Sequence, residues 1–175
     1  ALYAGAFRVF FSLDDLQFLS RAAGIEHAGG LRRVISTQWF FDASWRLFGV
    51  RAWAYHLVVL LLHAANASIL YLLARRLGLK KTAAYAASIL FTAAYIAFLP
   101  LHWISGIQEV SVTFFALISA YFFLGRTTAA AGLSLAAACL SILCKETSLF
   151  LLPALALVLP VSAKRKWLLG SAGLL

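Results

Sequence analysis

The chain has 175 residues, of which 63% are hydrophobic and only 12% charged, about half the charged fraction of an ordinary soluble domain. Its formal net charge is +9, which in a soluble protein would favour a nucleic-acid partner. Because the Lys and Arg residues lie between long apolar segments, we expect an integral membrane protein and no nucleic-acid partner.

The N-terminal part is not one continuous apolar segment. Residues 1–11 are too short to cross a bilayer, and we expect them to contain the end of a membrane helix. Residues 12–52 are amphipathic, and between 35 and 48 the large apolar side chains recur at helical spacing. Trp39, Trp45 and Trp53 also lie within 15 residues of one another. This favours helices that lie in the membrane interface, and a soluble loop domain is the alternative.

The rest of the chain alternates between apolar segments and short polar connections. We predict five membrane helices, and the later ones are short enough to be broken or tilted. Their predicted ranges are 53–74, 82–101, 110–125, 128–143 and 147–161.

Charge is distributed unequally over the connections. One alternating set is purely basic and consists of Arg75, Arg76, Lys80, Lys81, Arg126, Lys164, Arg165 and Lys166. The other set carries all six acidic residues of the chain. The positive-inside rule makes the first set cytoplasmic and the second extracytoplasmic. The predicted fold is therefore all-α, a polytopic transmembrane helix bundle with amphipathic interfacial helices in its first extracytoplasmic loop.

The first candidate site is the acidic pair Asp14 and Asp15, which precedes an apolar helix. A carboxylate at a membrane surface can act as a general base and deprotonate an acceptor hydroxyl. A neighbouring carboxylate raises one of the two pKa values or helps to hold a cation. A simple helix cap is the alternative, since Asp is a good capping residue.

Two further candidate sites are expected at the same membrane face. Lys145 interrupts an apolar run and can hold a phosphate as a point charge, with Glu146 to orient it. Snorkelling of a paired interfacial Lys is the alternative. His102 and Glu109 lie in a polar connection and either bind a polar ligand or end helices.

Other polar residues lie within the apolar segments. His56 and His63 share one helix face with Asn66 close by, and we interpret them as packing residues first and ligands second. Cys139 and Cys144 are expected to be small core residues. Since no metal-ligand spacing occurs, we expect no cofactor, although a divalent metal ion stays an open alternative.

Several segments together resemble a known enzyme family. They follow the acidic pair at 47–50, 54–67, 98–106 and 144–153, and the most specific are Tyr-His…His-Ala-x-Asn and Lys-Glu-Thr. The chain resembles the polytopic GT-C glycosyltransferases, in particular the protein O-mannosyltransferase-like group with its bacterial and transmembrane-plus-TPR members. The resemblance implies that residues 1–175 are the N-terminal part of one GT-C-like transmembrane domain.

The resemblance also implies a reaction. The donor is a polyprenyl- or dolichyl-phosphate sugar, and transfer is inverting, on the extracytoplasmic side of a bacterial inner membrane or an ER membrane. The acceptor is a protein, lipid or glycan. Asp14 takes the role of general base with Asp15 as its companion, and Lys145 lies near the carrier phosphate. The other residues expected at the substrate are Glu146, His102 and Glu109.

Two other functions are compatible with a helical membrane bundle. One is a non-catalytic transporter or assembly subunit, and the other is an inactive relative of the same family. A transporter is expected to have an internal repeat and charged or broken helices near the middle of the membrane. The chain instead has no repeat and gathers its polar groups at one face, which favours the enzyme.

Overall fold

The computed structural model describes residues 3–27, 30–125, 127–150 and 153. Within these residues every regular element is helical, so the predicted all-α membrane bundle is confirmed. The α-helices are α1 (Leu13–Ala22), α2 (Phe40–Phe48), α3 (Ala52–Arg76), α4 (Lys81–Ala93), α5 (Phe98–His102), α6 (Ile107–Phe123) and α7 (Thr128–Cys144).

The residues before α3 form short helices at one end of the bundle. Ala4–Arg8 is a 3-10 helix, where we expected the end of a membrane helix. A π-helical segment, Val34–Trp39, continues directly into α2, which agrees with the helical periodicity predicted over 35–48. Phe41 is fully buried whereas Leu47 is largely exposed. One face of this part therefore packs against the bundle, and its other face leaves apolar side chains such as Leu47 exposed.

Among the described residues, two helices are long and apolar enough to cross a membrane, α3 and the segment Ile104–Phe123. The 25 residues of α3 extend over about 37 Å, slightly more than the hydrocarbon core of a bilayer. The predicted span 82–101 is broken, because Ala94 has an extended backbone and the chain bends there by 45°. Helix α7 is shorter, and the predicted span 147–161 lies mostly outside the described residues.

The helices pack in the order α4, α3, α6, α7. Small polar side chains bond across the contacts, which lets helix backbones approach closely in a membrane. The Ser134 hydroxyl donates to the Ser119 carbonyl between α7 and α6, and the Asn66 amide donates to the Val110 carbonyl between α3 and α6. The main hydrophobic core lies at the end of the bundle that carries the N-terminal helices, around Tyr55.

The opposite end of the bundle carries basic residues. The guanidinium of Arg76, at the end of α3, donates to the Tyr121 carbonyl near the end of α6 and lies 4.4 Å from the centre of the Tyr121 ring. Helices α3 and α6 therefore run parallel, and both end on the side where α4 begins with Lys81. The described residues of the basic set, Arg75, Arg76, Lys80 and Lys81, lie at this basic end, away from the acidic residues of α1 and α6.

Candidate functional site

The start of α6 and the 3-10 turn before it, Ile104–Gly106, form the centre of a polar cluster opposite the basic end. Three side chains of this segment bond to three different parts of the chain. The pairs are Ser105 with Asp15, Gln108 with Arg33, and Glu109 with Lys145. The three candidate sites, far apart in sequence, therefore meet at one end of the bundle.

The two members of the acidic pair have different environments. Asp15 is fully buried, and its carboxylate accepts hydrogen bonds from four donors. The Ser12 amide and hydroxyl lie 2.8 and 2.9 Å from Oδ2, and the Ser105 amide lies 2.7 Å from Oδ1, which also accepts from the Ser105 hydroxyl. Asp15 thus closes a capping box at the start of α1 and fastens α1 to the turn before α6.

Asp14 is exposed at the same helix end. Within the described part of the chain, no hydrogen bond or ion pair to its carboxylate is found. Its carboxylate is open to a ligand, and its backbone position is held through Asp15. The capping interpretation therefore applies to Asp15, while Asp14 keeps a free acidic group beside the cluster.

Lys145 follows directly after α7 with an extended backbone, and its side chain is mostly buried. Its ammonium group is paired with the Glu109 carboxylate. We expected Glu146 to orient Lys145, and the structure differs in this respect. Because α7 ends at Cys144, the next two side chains diverge, and Glu109 on α6 holds the Lys.

Glu146 is instead bound by two arginines of the segment before α2. Arg33 makes two parallel bonds to its carboxylate, with N–O distances of 2.7 and 2.5 Å, and Arg32 adds a third of 2.6 Å. Such bidentate pairs are the strong form of an ion pair. The Arg33 bonds, followed by the single Arg32 bond, hold the pKa of Glu146 far below its ordinary value. The Arg33 backbone is left-handed, with φ of 55°.

Sequence reasoning missed Arg32, Arg33, Gln108 and Ser105. The two arginines carried a signal, since adjacent basic residues lie on the side assigned to the acids and need counterions there. Ser105 and Gln108 carried none, because a Ser and a Gln in a polar connection fit any solvated loop. Their roles arise only when α6 is placed beside α1 and the segment before α2.

His102 ends α5 and does not reach the ion pairs. Its Nδ1 lies 2.9 Å from the Phe98 carbonyl, and its ring stacks on the Phe98 ring at 4.0 Å between centres. The Tyr3 ring meets it edge-on at 6.1 Å. These contacts correspond to the helix-end alternative. A role of His102 toward a substrate stays a prediction.

A cavity of about 500 Å³ adjoins the cluster, with Glu109, His63 and Asn66 in its wall. The His63 ring stacks on Phe91, with 5.0 Å between the ring centres. Among the described residues, no group of three His, Cys, Asp or Glu side chains is arranged to hold a metal ion. The expectation that the reaction needs no metal ion stays a prediction.

The family model of the dolichyl-phosphate-mannose-protein mannosyltransferases matches residues 33–175. The chain belongs to this family. The match contains Arg33, the start of α6 and the Lys145 segment, whereas the acidic pair lies before it. No curated protein and no solved structure matches the chain. The predicted GT-C mannosyltransferase-like family is confirmed, and the chain is a membrane glycosyltransferase of this family.

Proposed function

We propose that this protein transfers a sugar, mannose by the family's description, from a polyprenyl- or dolichyl-phosphate donor to an acceptor hydroxyl with inversion at the anomeric carbon. Membership of the mannosyltransferase family over residues 33–175 carries this proposal. The gathering of the polar candidates around the start of α6 supports it, because a transfer reaction needs a base and a phosphate-binding group at one place.

Asp14 is the proposed general base. It takes the proton of the acceptor hydroxyl while that oxygen bonds to the anomeric carbon. The bond from this carbon to the phosphate oxygen breaks, and the polyprenyl phosphate leaves with the electron pair. The exposure of Asp14 and the anchoring of its neighbour Asp15 support this role, since a base must be accessible and fixed in position.

Lys145 is the proposed phosphate-binding residue. Its side chain is mostly buried, and its ammonium is paired with the Glu109 carboxylate. A donor phosphate offers Lys145 a second anionic partner at the same place. The Glu146–Arg33 pair fixes the backbone next to Lys145 and so supports a defined position for this charge.

The polar cluster is proposed to lie on the extracytoplasmic side of a multi-pass membrane domain. The basic end of the bundle supports this orientation, because Arg75, Arg76, Lys80 and Lys81 lie together where α3 ends and α4 begins. The acceptor site would then face the compartment in which exported proteins, lipids or glycans are modified.

Replacement of Asp14 by Asn tests the base. We expect Asp14→Asn to lower the rate of sugar transfer by about 10²- to 10⁴-fold, and the melting temperature to stay the same because Asp14 is exposed. The measurement is the initial rate of transfer from mannosyl-phosphoryl-polyprenol to Ser- and Thr-containing peptides in proteoliposomes. Glu26→Gln, an exposed acid outside the cluster, is the control. A rate for Asp14→Asn equal to that of the control would exclude the role.

Replacement of Lys145 by Ala tests the phosphate site. We expect the KM for the donor to rise by about tenfold or more, because a charge-assisted contact to the phosphate is lost. The KM for the acceptor should change little. Lys80→Ala at the basic end of the bundle is the matched control. An unchanged donor KM in Lys145→Ala, with the acceptor KM raised instead, would place Lys145 at the acceptor.

A further inference from the structure

The cavity beside the polar cluster lies between α3, the end of α4, the bent segment before α6, and α6 itself. Its volume of about 500 Å³ is typical of small-ligand sites. Most of its wall is apolar, and the polar side chains in it are His63, Asn66, Glu109 and Thr113. Such a wall needs a ligand that is mostly uncharged but carries a few polar groups.

Asn66 supplies a buried group that lacks a partner. The residue is only 1% exposed, and its Nδ2 donates to the Val110 carbonyl at 2.9 Å. Because a carbonyl oxygen only accepts, this bond fixes the orientation of the amide. The Asn66 Oδ1 has no hydrogen-bond partner among the described residues. A buried amide oxygen in this state needs a donor from a ligand or a water molecule.

Two of the other polar side chains of the wall, Glu109 and Thr113, also offer acceptors, while the His63 ring has one donor and one acceptor nitrogen. The Glu109 carboxylate accepts only, and the Thr113 hydroxyl already donates to the Glu109 carbonyl at 2.9 Å. A phosphate in this cavity would be repelled by the negative charge of Glu109 and would have few hydrogen-bond donors around it. A neutral group with several hydroxyls fits this set of acceptors, and an isoprenoid chain, which has no donor, leaves Asn66 unpaired.

We infer that this cavity binds the glycosyl group of the donor, with Asn66 Oδ1 accepting a hydrogen bond from one sugar hydroxyl. The inference rests on the proposed function. Glu109 connects the two parts of the site, since it lines the cavity and pairs with Lys145. The phosphate then lies at Lys145 and the sugar extends from it toward Asn66.

Binding of deoxy-sugar donors tests the inference without catalysis. The full-length protein in nanodiscs is titrated, with no acceptor present, with mannosyl-phosphoryl-polyprenol and its 2-, 3-, 4- and 6-deoxy analogues. We expect one analogue to bind about five- to tenfold more weakly than the parent. In Asn66→Ala this analogue and the parent should bind equally, because the hydroxyl has lost its acceptor.

The measured quantity is a ratio of Kd values within one preparation, so partial loss of folded protein cancels. Ser88→Ala is the matched control, because Ser88 donates to the Ala67 carbonyl of α3 beside Asn66. It should keep the discrimination of the wild type. If Asn66→Ala does not insert into the membrane, Asn66→Leu, which also lacks an acceptor, is measured by the same ratio, and it too should lose the discrimination.

Two results would overturn the inference. Equal ratios for all four analogues in wild type and Asn66→Ala would mean that the cavity holds water only. A weakened affinity for acceptor peptides in Asn66→Ala, with the discrimination between donors retained, would place the acceptor there. The proposed function fails on a different observation, namely that the wild type binds or uses no polyprenyl-phosphate sugar at all.

Discussion

Asp14 and Asp15 are neighbours, yet an α-helix rotates successive side chains by about 100°. Asp15 therefore faces Ser105 in the bundle, while the preceding side chain along the helix, Asp14, is exposed. From the sequence, the pair was open between a cap and a catalyst; Asp15 takes the capping role, and the catalytic role of Asp14 is our proposal. The face that each residue takes depends on how α1 is rotated against the rest of the bundle, which a pair of identical residues does not reveal.

Replacement of Asp15 is expected to destabilise the protein. Asp15→Ala removes the acceptor of four donors and leaves the buried Ser105 groups unpaired, at a cost of about 3 kcal/mol. The measurement is the melting temperature in detergent. Asp14→Asn is the control, since its side chain is exposed and it should melt like the wild type. Equal melting temperatures for Asp15→Ala and Asp14→Asn would contradict the assignment.

At the scale of elements, the sequence predicted the long apolar helices but not the break in the span 82–101. The predicted span 53–74 corresponds to α3, because a long apolar run has few alternatives in a bilayer. The predicted span 82–101 ends early at Ala93. The two sides of the bend together are apolar enough for one span, so hydropathy alone does not reveal the bend. The bent segment lines the cavity, and the turn after it places Ser105 against Asp15.

Gly106 allows this segment to turn into α6. A Cβ at this position would lie 2.4 Å from the Pro100 carbonyl oxygen and 2.5 Å from its Cα. These are backbone atoms that cannot move aside, so we expect Gly106→Ala to destabilise by about 1–3 kcal/mol.

Gly132 is the matched control, since a Cβ there meets nothing within 4 Å in α7. Gly132→Ala should raise the stability slightly, by about 0.5–1 kcal/mol, because Ala loses less backbone entropy in a helix. Melting temperatures in detergent compare the two variants. A Gly106→Ala protein as stable as Gly132→Ala would show that the contact with Pro100 is not tight.

At the scale of the whole molecule, the charge pattern predicted which groups meet but not their pairing. The count of spans placed the acidic pair, Glu109 and Lys145 at one end, and the structure brings them together around α6. The pairing of Lys145 with Glu109 depends on how α6 and α7 are rotated about their own axes. Hydrophobicity leaves these open, because both helices are apolar on nearly every face.

The ion pairs at Glu146 connect the segment before α2 to the end of α7 and so close the polar end of the bundle. The pKa of Glu146 is lowered in the folded protein by the Arg33 and Arg32 bonds. In the unfolded chain it returns to the ordinary glutamate value of about 4.3. The unfolded state therefore binds more protons between the two pKa values, and stability falls as the pH falls through this window.

We expect Glu146→Gln to melt below the wild type at neutral pH. The difference should stay constant down to the ordinary glutamate pKa of about 4.3 and shrink progressively at lower pH. Raising the salt concentration at neutral pH should also reduce it, because Glu146 is 42% exposed and its charge is screened. Melting temperatures of both proteins, recorded against pH and salt, give the difference directly. A difference that persists unchanged to low pH would mean that the Gln variant disturbs packing rather than charge, and the closure of the polar end would not be ionic.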